Sequence, residues 1–336
     1  MMLSFGLGDL SQAFTLQRRG ADLKAQMARL NEELTSGQVS DVKSVLAGNV
    51  GYLTDIEGDL KSLTAYRVAT TEAAQFASAA QSALERIDTV AGSLSSNLLT
   101  VSSNALGPVL DQLSVDAASD LGSIIAAMNT STAGRSLFAG TATQQNAVID
   151  ADTFLAELRA AAAGSTTPAG IEVAIDQWFD DPTGYQTAGY IGSSTSLAPM
   201  HIAEDETVSL DLKADALVFR DLLKSVGKAA IAADAAFGLS TDNQQALLTS
   251  AGADLLQAKD ELTATRADLG SKEARIDSVA TRNAARKTSL EFAKGALLEA
   301  DPYETATNLE AVQFQLESLY TVTARMSGLS LVNFIR

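Results

Sequence analysis

Two narrow apolar stripes, one near each end of this chain, constrain its fold more than any other feature. Toward the C-terminus Leu309, Val312, Leu316, Leu319 and Met326 alternate at three and four with Thr323 filling the one gap, and Leu329 follows three residues on. Toward the N-terminus Leu16, Gly20, Leu23, Met27, Leu30 and Leu34 keep the same alternation, with Gly20 allowing a neighbouring backbone to come close. An isolated helix is marginal in water, so a stripe of this kind needs a partner surface. The two ends are therefore expected to meet each other, or equivalent stripes of neighbouring subunits. Their apolar positions are the expected assembly interface, although two ordinary surface helices of a bundle would show the same pattern.

The interior of the chain reads as long helices. Aromatic residues are only 5% and prolines only five, so the 46% apolar fraction leans on Ala, Leu, Val and Ile, and Ala is the strongest helix former. With 336 residues the chain is long enough for two or three domains. One apolar periodicity runs from Leu53 to Asn104, which would span about 75 Å at the standard helical rise. Another runs from Val109 to Asn129 after Gly107-Pro108. Helical signal resumes from Ala216 to Phe237, and again after a start signal at Ser240, Thr241 or Asp242, continuing toward Leu297 before Asp301-Pro302.

Between these halves the pattern changes. Seven glycines and three of the five prolines lie between residues 134 and 211. Alternating runs at Ile171, Val173, Ile175 and at Val208, Leu210, Leu212 predict strands, Ala147–Ile149 and Tyr190-Ile191 do so more weakly, and Thr153–Ala163 predicts one helix. The order of elements is nearly a palindrome, as in a chain that runs out and returns with its termini side by side. The expected fold is mainly α: a long helical coiled-coil rod with paired terminal helices and a small β-rich insert in the middle. The expected divisions are 1–45 with 275–336 (terminal coiled coil), 46–134 with 213–274 (helical rod) and 135–212 (insert, facing outward).

Charge and missing residue types narrow the function. The net charge of −17 sits in the middle, where residues 46–259 carry ten basic against 25 acidic side chains. Nucleic-acid binding needs a basic footprint, so it is not expected, and the acidic middle reads as a solvated outer surface. The chain has no cysteine, which removes disulfides, thiolate metal sites and thiol nucleophiles together. MMLSFGLGDL lacks a basic region ahead of its apolar residues, so a cleaved secretory leader is not expected, and no run is long enough for membrane insertion.

Nothing in the sequence assembles a catalytic or cofactor site. Ser40-Asp-Val-Lys43 and Ser225-Val-Gly-Lys228 match Ser-x-x-Lys without its companion motifs and read as helix surface or turn. His201, the single histidine, lacks the partners of a zinc site. Glu204-Asp205-Glu206 lacks the spaced ligands of a calcium loop and reads as a solvated turn. Trp178-Phe179 is expected to anchor the core of the insert, with a partner-binding patch as the alternative. No enzyme and no metal or other cofactor is expected.

Several passages carry a resemblance. Thr265-Arg266-Ala267-Asp268-Leu269-Gly270 followed by Arg275-Ile276 resembles the "R-x-x-L-G … R-I" signature of the flagellin superfamily. Met326-Ser327-Gly328-Leu329-Ser330-Leu331-Val332-Asn333-Phe334-Ile335 is similar to the tail of that superfamily, and Leu34-Thr35-Ser36-Gly37 to the close of its first helix. Ser136-Leu137-Phe138-Ala139-Gly140, and Tyr190-Ile191-Gly192 followed by His201-Ile202-Ala203 and Thr207-Val208, resemble its hook-filament junction branch, the hook-associated protein 3 family. Gln38-Val39-Ser40-Asp41-Val42-Lys43 departs from the family's pattern, being shorter and lacking the paired Asp and the Pro. The resemblance implies a structural, extracellular protein of the flagellum, exported through the flagellar channel without a cleaved leader. Its terminal helices would be disordered in the monomer and form coiled coil on assembly. Implied partners are hook-associated protein 1, flagellin, further copies of itself in a ring and an export chaperone over the C-terminal stripe. The other readings are a flagellin forming the filament itself and a cytoplasmic helical scaffold.

Overall fold

A computed structural model describes residues 7–42, 50–101 and 105–335, with side chains except at 7–10, 13 and 326–335. The described elements, in order, are α1 (Leu7–Ser36), α2 (Gly51–Leu99), α3 (Gly107–Met128), β1 (Ser131–Thr132), β2 (Arg135–Ser136), α4 (Ala151–Ala161) and α5 (Pro168–Asp180). They are followed by β3 (Met200–Ala203), β4 (Glu206–Val208), α6 (Leu217–Ile231), α7 (Thr241–Leu298) and α8 (Pro302–Ile335). A single π-helical turn, Tyr185–Gly189, and a 3₁₀ turn, Ala235–Phe237, lie between them. The mainly α class is as expected.

The chain divides into two compact units, Met1–Leu63 with Ala285–Arg336, and Thr64–Ala284. Helices α2 and α7 contribute residues to both.

In the terminal unit α1 and α8 pair along their lengths. Helix α1 stops where expected: Gly37 adopts φ +69°, the left-handed conformation glycine reaches without strain, and its N–H donates to the Glu33 carbonyl at 2.9 Å. The next residues clip α1 to the turn between α7 and α8, with Val39 N–H donating to the Leu298 carbonyl at 2.9 Å and Ala300 N–H to the Gly37 carbonyl at 3.0 Å. Asp301 then caps α8, its carboxylate accepting from the N–H groups of Tyr303 (2.8 Å) and Glu304 (3.1 Å), with Pro302 in the first turn where no N–H is needed. The starts of α2 and the end of α7 add the ion pairs Asp59–Arg286 (2.9 Å) and Glu57–Lys294 (2.6 Å).

The larger unit holds one continuous core. Phe76, Leu84, Ile87, Leu94 and Leu98 of α2 and Leu247, Leu255, Leu262 and Leu269 of α7 are buried in it, as are the facing sides of α3 and α6. Ser114 sits at the end of α6 and donates to the carbonyls of Ala229 (2.9 Å) and Ala230 (2.8 Å) while accepting from Ala233 N–H at 3.3 Å. It thus satisfies helix-end groups that would otherwise be buried unpaired. Phe154, Trp178, Phe179 and Tyr185 form a cluster with ring centroids 5.0–6.3 Å apart, so Trp178-Phe179 anchors this core as expected.

The expected strand at Ile171, Val173 and Ile175 is instead helix α5. Thr167 caps it, accepting from Gly170 N–H at 3.2 Å, and Pro168 fixes its first turn. Ile171 and Ile175, four apart, share the buried helical face, and Val173 is exposed on the other side. Two apolar residues four apart satisfy either period, and the capping signal decides. Strand structure among the described residues is limited to two antiparallel two-stranded ladders, β1–β2 and β3–β4, and isolated bridges such as Val148–Tyr190. Val208 is in β4, but Leu210 and Leu212 lie beyond it. Helix α2 ends at Leu99, short of the expected Asn104, and residues 102–104 lie outside the described set.

Candidate assembly interface

The antiparallel contact of α1 and α8 brings together most of the residues marked in the sequence. Leu23, Leu30, Leu309 and Val312 are buried between the two helices, and Met27, Leu316 and Leu319 pack against them half-buried. Leu16 continues the line, also half-buried. Gly20 makes the expected close approach: a Cβ there would stand 3.3 Å from Leu319 Cδ2. Lys24 places its ammonium 5.8 Å from the Tyr320 ring centroid, a cation–π contact at the edge of the seam.

Leu34 does not join this seam within the chain. It is 41% exposed, because one turn before Gly37 the side-chain seam gives way to the backbone bridge between Gln38 and Glu299. The backbone of α8 is helical past Met326 and Leu329, but their side chains lie outside the described residues.

This core is thin. Among the described side chains four aliphatic groups are buried between the two helices, at about 1.5–3 kcal/mol each, against the entropy of ordering the chain that carries them. Several large apolar groups of the same helices also remain in water: Phe14 is 67% exposed, Phe314 73% and Tyr303 84%. These outward aromatics were not singled out in the sequence.

Ser225 and Lys228 are buried on α6, not at a helix surface or turn. Ser225 Oγ donates to the Asp221 carbonyl at 2.7 Å, and the Lys228 ammonium lies between Asp176 (3.2 Å) and Asp254 (3.3 Å), tying α6 to α5 and α7. Lys43 of the other Ser-x-x-Lys match lies outside the described residues. His201 is exposed on β3, and Glu204-Asp205 form the turn before β4, where Glu206 pairs with Arg275 and Arg282 of α7. Among the described residues no group of three or more potential metal ligands is assembled, and no helix is long and apolar enough to cross a membrane.

The motif residues also hold the larger unit together. Arg266 of α7 pairs with Asp88 of α2 at 2.9 Å, and its carbonyl accepts from Gln81 at 3.3 Å. Ile276 is buried, and Asn283 donates to the Ile202 carbonyl at 2.8 Å. Gly140 has φ +59°, and a Cβ there would lie 2.4 Å from the Ser193 carbonyl oxygen, so only glycine fits.

Residues 254–335, most of α7 and all of α8, match the model of the bacterial flagellin C-terminal helical region. The C-terminal quarter of the chain is flagellin-like. No curated protein matches the chain in sequence. Among solved structures, it is similar to a protein of Vibrio parahaemolyticus described as a flagellar hook-associated protein, with a TM-score of 0.54 at 13% identity, covering 73% of this chain and 95% of that one. It is also aligned with Bacillus cereus FlgL, at 14% identity and a TM-score of 0.36, over 84% of this chain and 99% of that one. The first of these likenesses is one of fold.

Proposed function

We propose that the chain is a structural subunit of the bacterial flagellum, an adaptor between hook and filament that assembles through α1 and α8. The observation that carries this reading is the thin antiparallel pair of terminal helices, one of them lying within the flagellin-like region. Residues 1–45 with 275–336 are then the inner assembly portion, 46–134 with 213–274 the rod, and 135–212 the outward insert. The partners are hook-associated protein 1, flagellin, further copies in a ring and an export chaperone. The resemblance of residues 136–140 and 190–208 to junction proteins favours the adaptor, and the hook-associated description of the Vibrio protein points the same way.

The flagellin-like C-terminal region also fits a filament subunit, so the test must separate the two. Cells lacking the chain are expected to carry hooks without filaments and to release flagellin into the medium, and purified chain added with flagellin is expected to restore filaments. Loss of flagellin itself from the medium would identify a filament subunit. Normal filaments would end the flagellar reading.

A further inference from the structure

Helix α7 carries a line of large apolar residues that repeats every seven positions: Leu248, Leu255, Leu262, Leu269 and Ile276, all buried, with Leu290 and Leu297 half-buried farther on. The position that should continue the line after Ile276 is Asn283. Among the described residues it is the only side chain of α7 buried between Val279 and Leu298. Asparagine is a weak helix former, and burying its amide is costly unless the amide is bonded. Here it is bonded, its Nδ2 donating to the Ile202 carbonyl at 2.8 Å. That carbonyl is free to accept because β3 and β4 lose step at this point. His201 pairs with Thr207 and Ala203 with Glu206, which leaves Ile202 without a partner across the ladder. The Ile202 side chain is fully buried in the core of the larger unit, so the irregular residue is held in place. Beside it, the Glu206 carboxylate accepts from Arg275 at 3.4 Å and from Arg282, which lie seven residues apart on α7.

We infer that the β3–β4 hairpin is a clasp that holds α7 at one level along its own length, with Asn283 as the residue it engages. A helix whose apolar residues recur every seven positions packs almost as well after sliding by one repeat, about 10 Å. One polar residue in the line, matched to one acceptor on the facing surface, rejects the slipped arrangement. The slip would bury the amide and the carbonyl apart from each other, and each would lose its partner. Asparagine in a leucine position gives up the stability that a leucine would add, and fixes the level in exchange. The two ion pairs are half-exposed, so each contributes little by itself. Their spacing is what discriminates. A slip of one repeat would set Asp268 or Ser289 in the place of one of the two arginines, and Ile276 or Leu290 in the place of Asn283. Either way Glu206 loses a cation and the Ile202 carbonyl faces an apolar side chain. The hairpin therefore grips α7 at three points that coincide at a single level.

Asn283→Leu in the full-length chain separates the clasp from plain packing, because the two predict opposite signs. The substitution completes the leucine line, so apolar packing alone would slow the hydrogen exchange of residues 200–208 or leave it unchanged. The clasp predicts that exchange there rises about tenfold and that trypsin cuts after Arg275 and Arg282 correspondingly faster, while exchange in residues 84–98 of α2 stays as it was. Glu206→Gln is a surface change that leaves the fold intact, and it is expected to raise the same two signals about threefold. Exchange in residues 200–208 that is unchanged or slower in Asn283→Leu would overturn the clasp. So would a rise of equal size in residues 84–98, which would make Asn283 an ordinary contributor to core stability. Should Asn283→Leu fail to fold, Glu206→Gln decides, and no change in either signal would overturn the clasp. None of these outcomes depends on what the chain assembles with.

Discussion

A Cβ at Gly227 would fall 2.4 Å from Leu158 Cδ1, so the buried Leu158 side chain would have to shift inside the larger unit. Gly227→Ala is expected to cost about 1–3 kcal/mol, read as a lower urea midpoint with unchanged slope. Ser114→Ala removes one group that serves two carbonyls and one N–H, and is expected to cost about 1–3 kcal/mol in the same measurement. The phenols set an alkaline limit. Burial, and then the nearby Asp215 carboxylate, push Tyr190 up to about 12 and Tyr185 further still. Unfolded phenols ionise near about 10, so above that the native state holds the extra protons. Stability is therefore fully present below about pH 10 and falls as pH rises through about 12, which urea midpoints at pH 8 and pH 11 would reveal. Such packing and burial relations are invisible in sequence. Ser225 and Lys228 looked like surface residues because the acidic partners that let Lys228 sit inside lie at Asp176 and Asp254, on two other helices.

At the scale of elements, helix existence was readable wherever apolar periodicity ran long, and ends were readable where a cap had a distinctive residue, as at Gly37 and Asp301. The failure at Ile171–Ile175 came from a short run whose spacing suits both periods, with Thr167-Pro168 as the overlooked deciding signal. The terminal pair was legible for the same reason as the long helices: Leu23, Leu30, Leu309 and Val312 meet as their spacing requires. Leu30→Asp places a carboxylate in that thin core. It is expected to expose α1 and α8 to protease trimming while a fragment spanning about residues 64–284 resists, and full-length protection of this variant would show that the pair is held by something other than its apolar seam.

For the whole molecule, the reading joins three facts of different kinds: a mainly α chain, a flagellin-like C-terminal region, and terminal helices paired over a narrow core with apolar side chains still turned to water. A chain built to assemble is expected to look like this, since its last apolar surface is reserved for neighbours. The acidic surplus of residues 46–259 suits the outward position proposed for the middle of the chain. The measurement that bears most directly on this account is immunogold labelling of isolated hook-basal-body-filament preparations with antibody to residues 135–212. The expected result is a single band of label between hook and filament. Label along the whole filament would make the chain a filament subunit, and the absence of label from the structure would contradict the account outright.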